Sequence, residues 1–257
     1  MLEQSLQKLR SEDKLQMQQG LDRLAEQLPK LQGREFEEGV QAVASLFYID
    51  PMDHPELIPV LNQAEAVLAE LRERIIPVIL GMLAESDLKT HFHLAAVLGR
   101  MGYAAVEPLL EAYRTATEDH DRVFLLYALG KIRDPEILRA IPVLFEALED
   151  ENPEVRDTAA RALGKVCEHV RPDRVEEPVR KEMFERLLAR GSDRFAGVRS
   201  KAIRSLGKMA RFGFLNDEQK AHLRRILARV LGEDDSDNWD LAYVVRAEAE
   251  KAKRYVT

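Results

Sequence analysis

Apolar residues recur along the chain at three- and four-residue intervals, the spacing that gathers them on one face of a helix. In AIPVLFEALEDENPEVRDTAARALGKV (140–166) the pattern breaks once, at the acidic stretch EDENP (149–153). It resumes with Val155, Ala159, Ala162, Leu163 and Val166 on one stripe. Two amphipathic helices around a polar turn are therefore predicted. Pro142 falls in the first turn of the first helix, where its missing N–H costs least. The acids of the turn precede the second helix, whose unpaired N–H groups favour negative charge.

The same arrangement recurs. Pro77, Pro108 and Pro142 are each followed 21 residues later by a Leu-Gly pair, at Leu98-Gly99, Leu129-Gly130 and Leu163-Gly164. A fourth unit runs from Pro178 to Leu206-Gly207, an interval of 28. Seven extra residues are about two helical turns, so its first helix can lengthen with little rotation of its apolar face. The polar turns are ESD (85–87), TEDHD (117–121), EDENP (149–153) and GSD (191–193). The glycine after each leucine either relieves crowding between stacked layers or loosens the helix end, since glycine costs about 1 kcal/mol inside a helix. The last segment, VVRAEAEKAKRYV (244–256), follows EVRDTAARALGKV position by position, with Lys253 and Arg254 in place of the Leu-Gly pair. That polar replacement suits a capping unit with an uncovered outer face.

The prolines, the run VRDTAARALG (155–164), its relative VRSKAIRSLG (198–207) and the four Leu-Gly pairs resemble HEAT repeats, in particular the short HEAT-like repeats of phycobilisome lyases. The family's turn aspartate and its arginine six residues later are matched by Asp150 with Arg156 and by Asp193 with Arg199. The resemblance implies an all-α, right-handed α-solenoid of about five helix pairs, with the second helices lining a concave surface. The array is expected over 75–257, after a helical N-terminal region (1–74). There EGVQAVASLFYIDP (38–51) reads as the second helix of a degenerate first unit, and LIPVLNQAEAVLAEL (57–71) as an irregular helix.

Composition agrees with a folded helical protein, with 46% hydrophobic and 32% charged residues and few glycines or prolines to interrupt helices. Neither an apolar leader nor a run of about 20 apolar residues is present, so a cytoplasmic protein without a membrane span is expected. Cys167 has no cysteine partner and is expected to be a buried structural thiol in a reducing compartment.

Catalytic chemistry finds little purchase. Deoxyhypusine hydroxylase, another HEAT-like protein, holds iron with His-Glu dipeptides, and none of the six histidines here precedes a glutamate. His91 and His93 are two residues apart and point to different sides of a helix. Asp50, Asp53 and His54 could surround a divalent ion, but acids between prolines are ordinary in a helix connection. Helical-repeat DNA glycosylases use aromatic residues beside a carboxylate; Trp239, the one tryptophan, is expected instead to plug the last helix pair. The features shared with phycobilin lyases are those that build the solenoid, so their activity does not transfer. No catalytic residue, metal or cofactor is expected, and the chain reads as a non-enzyme.

Charge supplies the remaining candidates. Alignment on the Leu-Gly pairs puts His91, Arg122, Arg156, Arg199 and Arg246 in one column, either a cationic ladder for a partner or a set of structural ties to the acidic turns. Arg100, Lys131, Lys165 and Lys208 form a second column, where helix C-termini favour cations. Residues 194–231 carry a net +8 in a chain of net −7, leaving −15 elsewhere. Within that segment Arg204, Lys208 and Arg211 fall in one helical row and, with Arg224 and Arg225, could form a cationic shelf. The expected function is a protein interaction scaffold whose partner contacts are drawn from Arg122, Arg156, Arg199, Arg204, Lys208, Arg211, Arg224 and Arg225, the partner being a protein with an acidic surface. The alternatives are a nucleic-acid or phosphate-ligand binder using the basic C-terminal layers, and a lyase-like or chaperone role toward a cofactor-bearing protein.

Overall fold

A computed structural model describes residues 2–234 and 239–256. They form helices and short 3-10 turns, with no strand among the described residues, and no helix among them is long and apolar enough to cross a membrane. Two compact units are present, Met1–Ala112 and Tyr113–Thr257.

The first unit contains α1 (Leu2–Leu9), α2 (Lys14–Gln27), α3 (Gly33–Ala44), α4 (Ile58–Ala69), α5 (Ile76–Met82) and α6 (Leu88–Met101). α1, α3 and α5 form one row and α2, α4 and α6 the other. The repeat architecture thus extends into the first 74 residues, and it corrects the register expected there. Residues 38–44 belong to α3, a first helix between α1 and α5, and 45–48 continue it as a 3-10 turn. The segment from Ile58 is a regular second helix, α4, packed on α2 and α6. The Ala-Val spacing of α3 resembles that of a second helix, and only its neighbours reveal the row.

The division between the units falls in α7 (Val106–Thr115). The second unit continues with α8 (Asp119–Leu129), α9 (Ile141–Ala147), α10 (Pro153–His169), α11 (Glu177–Arg190), α12 (Ala196–Arg211), α13 (Asp217–Leu231) and α14 (Tyr243–Lys253). α9, α11 and α13 pack on α10, α12 and α14, and α8, α10, α12 and α14 stack in succession. The seven extra residues of the fourth unit lie where expected: α11 has 14 residues and α9 has 7.

The Leu-Gly column is the seam of each stack. Leu98, Leu129, Leu163 and Leu206 are fully buried. Gly164 and Gly207 lie inside α10 and α12, which favours the crowding reading at these two positions, whereas Gly130 caps the end of α8. A Cβ on Gly164 would overlap Ser205 of α12, and one on Gly207 would come within 2.7 Å of the Ala252 Cβ on α14. Ser205 turns its hydroxyl to the Ala160 carbonyl at 2.7 Å, so the polar group at this contact is satisfied. Val245, Ala249, Ala252 and Val256 are buried in the register expected from EVRDTAARALGKV.

Trp239 departs from expectation. It lies half-exposed, with the Arg246 guanidinium 4.6 Å from its ring centroid, and does not plug the last pair. Residues 235–237 of the acidic run lie outside the described residues.

Candidate interaction face

The second helices of the Tyr113–Thr257 unit are joined by a repeated device. Arg156 on α10 donates from Nε and Nη2 to Asp193 at 2.8 and 3.0 Å, and from Nη1 to the Asp150 and Glu151 carbonyls at 2.7 and 2.9 Å. Arg199 repeats this on α12, reaching Asp240 at 2.6 and 2.9 Å and the Asp193 carbonyl at 2.8 Å. Arg246 on α14 donates to the Asp240 carbonyl at 2.6 Å, and Arg122 on α8 pairs with Asp150 and Asp119. Each turn aspartate also accepts an N–H two residues on: Asn152 for Asp150, Phe195 for Asp193 and Ala242 for Asp240, at 2.8 to 2.9 Å.

The Asp-to-Arg spacing of six residues is therefore real, but its bond runs from the arginine to the backbone carbonyl of the aspartate. The carboxylate itself serves the arginine of the preceding layer. Burial raises the cost of ionising Asp193 and Asp240, yet the arginine forks and turn N–H groups prevail and hold both below the usual carboxylate range. Arg156 and Asp193 are almost wholly removed from solvent. The guanidinium groups of Arg122, Arg156 and Arg199 are thus committed to ties within the fold.

The shelf residues are dispersed. Arg204 forks onto Glu248 of α14 at 2.7 and 3.0 Å, and Lys208 reaches Glu168 of α10 at 2.9 Å. Burial pushes the Lys208 ammonium down, against the upward pull of Glu168. Arg211 is exposed, lying over the Phe212 and Tyr255 rings at 5.1 and 5.5 Å. Arg224 and Arg225 belong to α13 in the first-helix row. Arg224 donates to the Val256 carbonyl at 2.7 Å, and Arg225 borders a recess against α11 beside Phe184 and His222. The acids that relieve the basic row come from neighbouring helices of the same protein.

The solvent-facing stripe of these helices contains two residues that charge alignment overlooked. Tyr127 and Arg161, like the expected Arg204, stand two positions before a Leu-Gly pair, and that column faces outward beside the buried seam. An open groove of about 580 Å³ lies across α10 and α12, bounded by Val123, Pro153, Phe195 and Val198 with Glu154 and Asp157 among its polar members. Phe195 remains partly exposed, with Arg194 and Arg156 4.8 and 5.7 Å from its ring centroid.

Other candidates are occupied locally. Asp50 pairs with Lys89 and accepts the Met52 N–H at 2.9 Å. His93 stacks on Phe47 at 4.8 Å and contacts Glu65 at 2.8 Å, while Glu65 accepts from Arg100 at 3.0 Å. No cluster of three or more histidine, cysteine or acidic side chains positioned for a metal occurs among the described residues.

Comparison with known proteins fits this geometry. The family model described as HEAT repeats matches residues 106–185. The solved complex of CpcE and CpcF of phycocyanin lyase from Nostoc sp. PCC7120 is similar at 23% identity over 70% of this chain and 98% of that chain, with a TM-score of 0.57. A designed armadillo repeat protein is similar over the whole of both chains at 16% identity, with a TM-score of 0.49. No curated protein matches the sequence. With its stacked helix rows and buried Leu-Gly seams the chain has an all-α solenoid fold, and its segment 106–185 matches HEAT repeats.

Proposed function

We propose that the protein is a non-catalytic interaction scaffold that docks a partner protein on the second-helix face of the Tyr113–Thr257 unit. The observation that carries this reading is the open groove at Val123, Pro153, Phe195 and Val198, set on helices that the Arg156–Asp193 and Arg199–Asp240 ties lock together. Apolar contacts in such a groove supply affinity, and a rigid frame loses little entropy on binding. The exposed Arg211 on α12 favours an acidic rim on the partner. The likeness to phycocyanin lyase is one of fold, and chemistry does not transfer with a fold.

Affinity capture from the native cell, followed by quantitative mass spectrometry, tests the reading with wild type beside a Phe195→Ser/Arg211→Glu variant. These positions are exposed, whereas reversing Arg204 or Lys208 would set carboxylates against Glu248 or Glu168 and disturb the fold. A stoichiometric protein recovered with wild type and lost with the variant, at unchanged circular dichroism, is expected. Equal recovery with both removes this face from the binding function.

A further inference from the structure

Between α8 and α10, toward their C-terminal ends, the second-helix face opens into a recess of about 110 Å³. Gly130 and Ala162 adjoin in its lining. Tyr127, Lys131, Arg133, Arg161, Lys165 and His169 surround it, and its lining includes no carboxylate. This departs from the pattern elsewhere on the same face, where Lys201, Arg204 and Lys208 each face an acid of a neighbouring helix. Lys131 and Arg161 instead lie over the Tyr127 ring, each 4.9 Å from its centroid. Neither they nor Arg133 has a carboxylate within ion-pair distance among the described residues. Lys165 shares Glu168 with Lys208.

Three unneutralised cations drawn around one small hollow repel one another, and an anion between them would relieve that repulsion. The volume is enough for a tetrahedral oxyanion. Arginine supplies a planar fork suited to phosphate oxygens, lysine a point charge, and Thr158 at the edge a hydroxyl donor. We propose that this recess binds the dianionic phosphate group of a phosphate monoester or of free phosphate, with Arg161, Lys131 and Arg133 as its principal ligands. The site requires no partner protein, and Thr158 is the residue it shares with the groove beside Phe195.

His169 provides a local reporter. Burial holds its imidazole below the usual histidine range, nearby Arg133, Lys165 and Lys208 act in the same direction, and Glu168 acts against them. A bound dianion would raise it.

The test titrates the full chain with inorganic phosphate and, separately, with O-phosphoserine at constant ionic strength. Binding is followed by calorimetry and by the pH titration of the His169 ring protons in NMR spectra. Saturable binding and an upward shift of the His169 titration are expected, with sodium chloride producing neither. Arg161→Gln should weaken binding about tenfold, as loss of one charge-assisted contact implies, and Arg161→Lys should weaken it less. Lys131→Gln provides a second variant if the first fails to fold. Tighter binding of phosphoserine would assign the site to a monoester carried on a larger ligand, and tighter binding of inorganic phosphate to the free ion. Absence of saturable binding of both by wild type, or equal binding by folded wild type and variants, overturns the proposal.

Discussion

Arg156 on α10 and Asp193 in the turn before α12 meet through two parallel N–H to oxygen bonds, 2.8 and 3.0 Å long, in a contact almost closed to solvent. The third arm of the guanidinium takes two carbonyls of its own turn, so one side chain fixes both the turn and the next layer. A buried charge so well bonded is tolerated because each guanidinium nitrogen reaches an acceptor, and removal of one partner strands the other.

Arg156→Gln is accordingly expected to destabilise the second unit by about 3 kcal/mol, the lower end of the usual cost of breaking a buried pair. Urea denaturation followed by circular dichroism measures it. Adding Asp193→Asn to the variant should recover part of the loss, because the stranded carboxylate is then neutral. A single variant as stable as wild type would contradict the structural role assigned to the arginine column.

Two glycine substitutions should have opposite signs. Alanine is ordinarily the better helix residue by about 1 kcal/mol, and Gly81 in α5 has open space at its Cβ position, so Gly81→Ala is expected to raise the melting temperature. Gly164→Ala places the same methyl against Ser205 and should lower stability by about 1–3 kcal/mol despite the gain in propensity. Parallel melting curves of the two variants suffice. Equal shifts would mean that α10 and α12 do not approach as closely as described.

Glu248 gives an acid limb to the stability profile. Its hydrogen bond with Arg204 lowers its pKa to about 2 from an ordinary 4.5; burial opposes the shift and Lys251 adds to it. A folded-state value below the unfolded one means that this stabilisation is complete above pH 4.5 and is lost as pH falls toward 2. The difference in unfolding free energy between wild type and Glu248→Gln should therefore narrow across that interval. A difference constant from pH 6 to pH 2 would place the acid limb on other carboxylates.

Cys167 is fully buried in α10, and burial pushes its thiol far above the ordinary range. A maleimide or disulfide reagent should leave the native protein unmodified and react in proportion to the unfolded fraction as urea is raised. Rapid stoichiometric labelling in the absence of denaturant would contradict this burial.

The sequence by itself determined the helices, their grouping in pairs over most of the chain, the lengthened first helix of the fourth unit and the buried register of the Leu-Gly seam. All of these follow from periodicity within one helix or from repetition along the chain, both local properties of the residues. Glycine's two readings at the seam separated only when Ser205 and Ala252 were found opposite Gly164 and Gly207. The row occupied by residues 38–44 likewise depended on which helices flank α3. The charged residues depended on tertiary structure most of all. Arg156 finds Asp193 across 37 positions and Arg204 finds Glu248 across 44, whereas Lys131 and Arg161 come together without an acid. A charge's state is set by what lies within a few ångströms of it in space, and helix stacking brings together residues that no spacing along the chain relates.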